Sequence, residues 1–191
     1  MSESGERSVP DEVFDDVLTA AKANAPWAFE RIYEQLAPAV AGYLRLRGSP
    51  DPEGTTNEVM LGVFRGLPRF EGDAAGFRSW VFTIAHHRLV DERRRASSRV
   101  ETTEWMPERH ERAGGDVELE AVADLDDVWI RELLAHLTDE QRDVILLRVV
   151  ADLSVDEVAE LLGKRPGAIK MLQRRGLAAL RRLLEQQGVT S

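Results

Sequence analysis

Two residue pairs near the carboxyl end constrain this chain more than anything else in it. Thr138 is followed three places on by Gln141, and Ser154 three places on by Glu157. Each pair is a capping box: the hydroxyl accepts from an orphan amide at a helix start, and the longer side chain reaches back to the N–H of the cap. The boxes predict helices near 139–150 and 155–162. Gly163 suits the left-handed position after the second helix. Pro166 suits the first turn of a third, where its missing N–H costs little. That helix is predicted over about 166–184. At about 100° per residue, Ile169, Leu172, Gly176, Leu180 and Leu183 share one side of it, and Lys170, Met171, Arg174, Arg175, Arg181 and Arg182 share the other. One side is core and the other is cationic. Three helices in this order make a helix-turn-helix, whose last helix enters the DNA major groove, where Arg and Lys donate to N7 and O6 of guanine.

The charge distribution sharpens this. From Leu137 to Gly163 there are 7 acids and 2 bases, whereas Lys164 to Arg182 holds 7 bases and no acid. A basic block on one helix face is an electrostatic footprint for phosphate, although a solvated surface has the same composition. The whole chain of 191 residues has a net charge of −9. Non-specific DNA affinity grows with the number of phosphates neutralised, so one short basic helix on an acidic protein needs a partner to present it. Between the arms, residues 99–130 hold 3 bases and 10 acids. The stretch from Ala96 to Asp127 includes Ser97, Ser98, Gly114 and Gly115 and lacks sustained apolar periodicity, the composition of a solvated, flexible linker.

Several function classes fall away. There is no Cys, which removes disulfides, thiolate metal sites and cysteine nucleophiles and fits a reducing compartment. The longest strongly apolar run, Val144 to Leu147, ends at Arg148, far short of the ~20 residues that cross a bilayer. The acidic amino end lacks the apolar segment of a secretory signal. A cytoplasmic protein with no membrane insertion is expected. His86 and His87 are neighbours, which on a helix point about 100° apart and chelate one ion poorly. His110 and His136 stand alone, Ser97-Ser98 lacks a nucleophile elbow, and no Gly-rich phosphate loop occurs. No catalytic constellation, metal site or cofactor is expected.

The first arm, from Pro26 to Arg95, reads as amphipathic helices broken by Pro and Gly, near 26–46, 52–66 and from Phe77 to about Arg95. Phe77-Arg-Ser-Trp-Val-Phe-Thr-Ile-Ala-His-His-Arg-Leu-Val-Asp-Glu-Arg-Arg-Arg95, preceded by Leu67-Pro-Arg-Phe-Glu-Gly-Asp73, closely resembles the second conserved region of extracytoplasmic-function (ECF) sigma factors of bacterial RNA polymerase. Asp51-Pro-Glu-Gly-Thr-Thr-Asn-Glu-Val-Met60 is similar to that family's acidic core-binding motif. In the second arm Leu137-Thr-Asp-Glu-Gln-Arg142, Leu147-Arg148, Leu153-Ser-Val-Asp-Glu-Val-Ala159 and Pro166-Gly-Ala-Ile-Lys170 resemble its fourth region. The chain departs from the family pattern at Gly54, Thr55, Asn57, Met60, Met171, Leu172 and Gly176.

The resemblance implies an all-α protein of two small helical domains. An amino-terminal tail covers 1–12, a region 2-like domain 13–95, an acidic linker 96–127, and a region 4-like helix-turn-helix domain 128–187. It implies an alternative sigma factor that binds core RNA polymerase through its largest and second-largest subunits, reads the minus-35 and minus-10 elements of promoter DNA, assists opening, and meets an anti-sigma factor. Asp51, Glu53, Asn57 and Glu58 would dock on polymerase; the plain alternative is a solvated, capped helix start. Phe70, Glu71, Gly72, Asp73, Thr83, His86 and His87 would receive a base flipped from the minus-10 element, with Trp80 and Ile84 in the core beside Phe77. Arg148, Lys170, Met171, Arg174 and Arg175 would contact the minus-35 groove. The linker would either lie in a positively charged polymerase channel, mimicking RNA, or act as a plain tether. The rival reading is a stand-alone helix-turn-helix regulator with a helical regulatory domain.

Overall fold

The structure, a computed structural model, describes residues 11–100 and 128–186, with backbone alone over 11–13 and 96–100. All regular structure among the described residues is helical. Helices α1 (Asp11–Lys22), α2 (Pro26–Leu46), α3 (Pro52–Gly66) and α4 (Ala74–Val100) form the first unit, with a 3-10 turn at Leu67–Arg69. The second unit has α5, helical over 128–135, followed by α6 (Asp139–Val149), α7 (Val155–Leu161) and α8 (Pro166–Gln186).

Local chemistry accounts for most of these limits. Pro26 and Pro52 occupy first-turn positions, and the Asp51 carboxylate caps α3 by accepting from the amide of Gly54 at 3.0 Å. Both predicted capping boxes form: Thr138 with Gln141 starts α6, and Ser154 with Glu157 starts α7. Gly163 sits at φ +63°, where a side chain would be strained, and α8 begins at Pro166. Two boundaries differ from expectation. The pattern predicts helices only from Pro26 and a tail over 1–12, yet the chain is helical from Asp11, because Phe14, Val17, Leu18 and Ala21 form one buried stripe. α4 starts three residues before Phe77 and continues five past Arg95, into the segment expected as linker. Nothing from Ala96 to Val100 is a Gly or Pro that would stop it. The rest of that linker, 101–127, lies outside the described residues, as do 1–10 and 187–191.

In the first unit, Ile32, Leu36 and Val40 of α2 meet Val59, Met60 and Val63 of α3 and Phe77, Val81, Phe82 and Leu89 of α4, all 1% exposed or less. In the second, Val144 and Leu147 of α6 close on Val158 of α7 and Ile169 of α8. Gly176 lets α6 and α8 approach: a Cβ there would stand 2.6 Å from the Ile145 Cδ1.

The units also pack on one another, α2 against α6 and α4 against α7. Arg47, at the end of α2, is 4% exposed. Its guanidinium lies 2.7 Å from Asp143 and 3.4 Å from Asp139, both on α6, and its carbonyl accepts from Arg93 of α4. The composition of the linker suggests two arms on a tether; the described residues form two units joined through a buried ionic contact.

Candidate functional site

The cationic helix face forms on α8. Lys170, Arg174, Arg175, Arg181 and Arg182 are exposed, while Ile169 and Gly176 are buried on the opposite side. Met171 is 41% exposed beside them, and Leu177, at 47%, adds an apolar side chain on the rim that the wheel reading passed over. Arg148 differs. It donates to the carbonyl of Leu153 and so ties the turn between α6 and α7, which leaves only the rest of its guanidinium for phosphate. The salt bridge from Lys164 to Glu140, 2.6 Å, fastens the turn before α8 to the first turn of α6. These contacts hold α8 with its basic side outward.

The acidic helix start on α3 divides into three. Asp51 is the cap already described, so its carboxylate has a structural task. Glu53 and Asn57, one turn apart, face α2, where Glu53 pairs with Arg45 at 3.7 Å and Asn57 accepts from the Tyr33 hydroxyl at 2.9 Å. Glu58 turns toward α4 and meets Arg88 at 3.8 Å. Glu53 and Asn57 border a groove of about 470 Å³ lined by Tyr33, Glu34, Ala37 and Pro38 of α2. Tyr33, 42% exposed, and Leu61, 53% exposed, supply apolar surface to the acidic face. The sequence reading named neither; Leu61 falls one turn after Asn57, which was the available signal.

The expected minus-10 residues do not converge on one pocket. Glu71, Gly72 and Asp73 are exposed at the head of α4. The Asp73 carboxylate accepts from the amide of Gly76 at 2.9 Å. Phe70 is half-buried, stacked on Trp80 at 5.2 Å and set edge-on to Phe77 at 5.2 Å. Gly72, at φ +153°, is required there, since a Cβ would stand 2.8 Å from the Phe70 ring. Thr83 donates to the carbonyl of Ser79 at 2.9 Å. From Asp73 to His86 the helix advances about 20 Å, so Thr83, His86 and His87 form a strip leading away from the loop. His86 is not the outward polar residue that the wheel suggests. Its Nδ1 is hydrogen-bonded to the Tyr43 hydroxyl at 2.8 Å, and burial, with Arg47, His87 and Arg93 nearby, pushes its pKa down to about 4. His87 is exposed.

Burial also raises the Tyr43 phenol well above its ordinary range, so it remains protonated at neutral pH. Asp143 is held above the usual carboxylate value by burial first, even though Arg47 beside it pulls the other way. The close Arg47–Asp143 contact satisfies charge more than hydrogen-bond geometry, as both facing atoms lack a well-angled bond. Tyr43, His86, Arg47, Arg93, Asp139 and Asp143 thus make a polar cluster where the two units meet. Among the described residues no group of His, Asp or Glu is placed to hold a metal ion, and no helix is long and apolar enough to cross a membrane.

A helical first unit with an acidic groove and a loop-headed helix, followed by a helix-turn-helix with a free basic face, defines a DNA-reading protein of two helical parts. Residues 32–99 match the family model for sigma-70 region 2, and residues 127–180 match that for sigma-70, region 4. The chain is 36% identical over 138 residues to the ECF RNA polymerase sigma factor ShbA of Streptomyces griseus, covering 70% of this chain and 72% of that one. It is 32% identical over 177 residues to the ECF RNA polymerase sigma factor SigD of Mycobacterium tuberculosis, covering 89% and 83%. In fold it is similar to CnrH, solved in complex with the cytosolic domain of CnrY, with a TM-score of 0.66 at 20% identity over 91% of this chain and 98% of that one. The chain belongs to the ECF sigma factors, promoter-directing initiation factors of bacterial RNA polymerase.

Proposed function

We propose that this sigma factor docks on core RNA polymerase through the α2–α3 groove, reads the minus-35 element with α8, and engages the minus-10 element with the loop at the head of α4. The observation that supports the reading best is the outward face of α8, where Lys170, Arg174 and Arg175 stand exposed opposite buried Ile169. In this reading Lys170, Met171, Arg174 and Arg175 enter the groove and Arg148 is a secondary contact. Phe70, Glu71, Gly72 and Asp73 hold the unstacked base, and Thr83 and exposed His87 follow the opened strand, beside His86, whose Nδ1 is engaged by Tyr43. Extruding a base costs a few kcal/mol, which a receptor must return through stacking and hydrogen bonds. Glu53 and Asn57, with Asp51 and Glu58 at the edges, present negative charge to basic groups of the polymerase and steer the encounter. The first functional domain spans 13–95 and extends along α4, and the second spans 128–187. The protein works in the cytoplasm, the acidic linker 96–127 passes between the two domains, and an anti-sigma factor is a further partner. The polymerase supplies the covalent chemistry.

The test uses holoenzyme assembled from core polymerase and alanine variants at Lys170, Arg174 and Arg175, assayed against a minus-35 substitution series at several salt concentrations. Loss of a side chain bidentate to guanine should cost ~1–3 kcal/mol and relax preference at one base pair, whereas loss of a phosphate contact should weaken all sequences alike and lower the salt slope by about one. Unchanged affinity, preference and slope for all three variants would make the face a solvated surface. A chain that shifts promoter DNA equally well without core polymerase would make the protein a stand-alone regulator.

A further inference from the structure

Asp15 of α1 reaches across the fold to a helix 59 positions away and accepts from the amide of Ala74 at 2.8 Å. That amide is the first of α4, one of the orphan donors that every helix start presents. Asp73 satisfies another, at Gly76, but the first turn of α4 contains no acid of its own. A second carboxylate at the positive end of this helix, beside that of Asp73, therefore comes from α1. Two turns later on α1, the Lys22 ammonium lies 5.4 Å from the centroid of the Phe70 ring. Next to Asp15, Phe14 of α1 packs on Phe77 of α4, ring centroids 6.0 Å apart.

Lys22 and Asp15 thus touch the two ends of one short segment, Phe70 to Ala74, whose middle residues Glu71, Gly72 and Asp73 are exposed. Seven residues on α1 span about 10 Å, within the reach of the four peptide units between Phe70 and Ala74. Neither contact belongs to the loop's own neighbourhood in the chain. The loop conformation is also narrow, because Gly72 at φ +153° passes close over the Phe70 ring. Holding Phe70 at one end and Ala74 at the other leaves the exposed middle little freedom.

We propose that α1 is a brace for the promoter-opening loop, with Asp15 and Lys22 as positioning residues that keep Glu71, Gly72 and Asp73 in register to receive a minus-10 base. This inference rests on the assignment of that loop to the minus-10 element. Asp15 and Lys22 touch no DNA in this scheme; they act on discrimination through the loop.

The experiment compares wild type with Asp15→Ala, Asp15→Asn, Lys22→Ala and Glu71→Ala, each assembled with core polymerase. Open-complex formation is measured on promoters with intact and singly substituted minus-10 and minus-35 elements, and amide hydrogen exchange over 70–77 is followed in the free chain. Asp15→Ala should lower minus-10 discrimination about five- to tenfold and speed exchange at Ala74 by about tenfold, with minus-35 discrimination and polymerase affinity held within about twofold. Asp15→Asn keeps an acceptor oxygen and should recover most of the loss. Lys22→Ala, which removes only an exposed cation, should lower minus-10 discrimination about two- to threefold. Wild-type discrimination and exchange in Asp15→Ala overturns the brace, as does an equal loss at both promoter elements, the sign of general destabilisation. If Glu71→Ala lowers minus-10 discrimination while Asp15→Ala does not, the brace alone fails. If Glu71→Ala leaves discrimination intact while Asp15→Ala still quickens exchange at Ala74, the minus-10 assignment fails and the proposal with it.

Discussion

His86 shows how one hydrogen bond redirects the reading of a residue. On a bare helical wheel it points away from Phe77 and looks like a polar group free for DNA. In the fold its Nδ1 is hydrogen-bonded to Tyr43, a phenol that burial keeps protonated. The consequence for stability has a definite sign. In the unfolded chain His86 takes a proton near its ordinary 6.5, whereas in the folded chain it resists until about 4. Between those values the unfolded state binds more protons, so the His86 contribution is fully present above about 6.5 and is lost as pH falls toward 4. Asp143 works the other way in acid, since its raised pKa lets the folded form take the proton first. A His86→Gln variant isolates the histidine, because Asp143 is common to both chains. Thermal unfolding at about pH 7 and about pH 5 should show a smaller acid loss in the variant than in wild type, by roughly 2–4 °C. An identical loss in the two would separate His86 from the acid sensitivity.

Among the elements, α3 is the one whose polar residues divide most sharply between structure and surface. Asp51 closes the helix start by accepting from Gly54, and Pro52 begins the helix. Replacing Asp51 by Ala removes a cap, which costs roughly 1 kcal/mol of stability, and so confuses any measurement of docking. Glu53 makes no capping bond; it is the exposed acid of the first turn of α3 and pairs with the half-exposed Arg45. Glu53→Lys should therefore weaken polymerase binding with little change in unfolding free energy, while Asp51→Asn, which retains capping ability, should leave the fold intact and change binding less. Fluorescence titration of labelled variants with core polymerase, alongside urea unfolding, tests the split. Full-strength binding by Glu53→Lys would remove the docking role from this face. The limits of α3, α6, α7 and α8 were legible because proline positions, capping boxes and Gly163 act within a few residues of themselves. The groove was less so: Tyr33 and Asn57 come from two helices, and only their packing makes them neighbours.

At the scale of the whole molecule the two units share a charge that neither could bury alone. Arg47 leaves the first unit and is neutralised by Asp143 and Asp139 of the second. Removing one partner of a buried ion pair leaves the other charge uncompensated and commonly costs 3–5 kcal/mol, whereas replacing the pair by apolar groups is often neutral. Here Asp139 remains after Asp143→Asn, so a loss of about 2–4 kcal/mol is expected. The same substitution in an Arg47→Met background should cost much less. Urea unfolding of the four chains in that cycle gives the coupling directly, and additive effects would show that the contact does not hold the units together. The cluster also sets how the groove on α2–α3, the loop before α4 and the basic side of α8 are oriented relative to one another.

The sequence by itself determined the helical class, the two-unit order, the helix-turn-helix and the cationic face of α8. Each of these depends on caps, breakers and periodicity, which are properties of a few adjacent residues. The resemblance of two separate motif sets placed them in one family before any contact was known. Tertiary structure decided the remainder. It packed α1 on the head of α4, brought Asp15 to the amide of Ala74, turned His86 to Tyr43 and buried Arg47 against Asp143. These partners are 43 to 96 positions apart in the chain. A side chain's use is set by what desolvates it and what hydrogen-bonds it, and over such separations both are known only once the helices have packed.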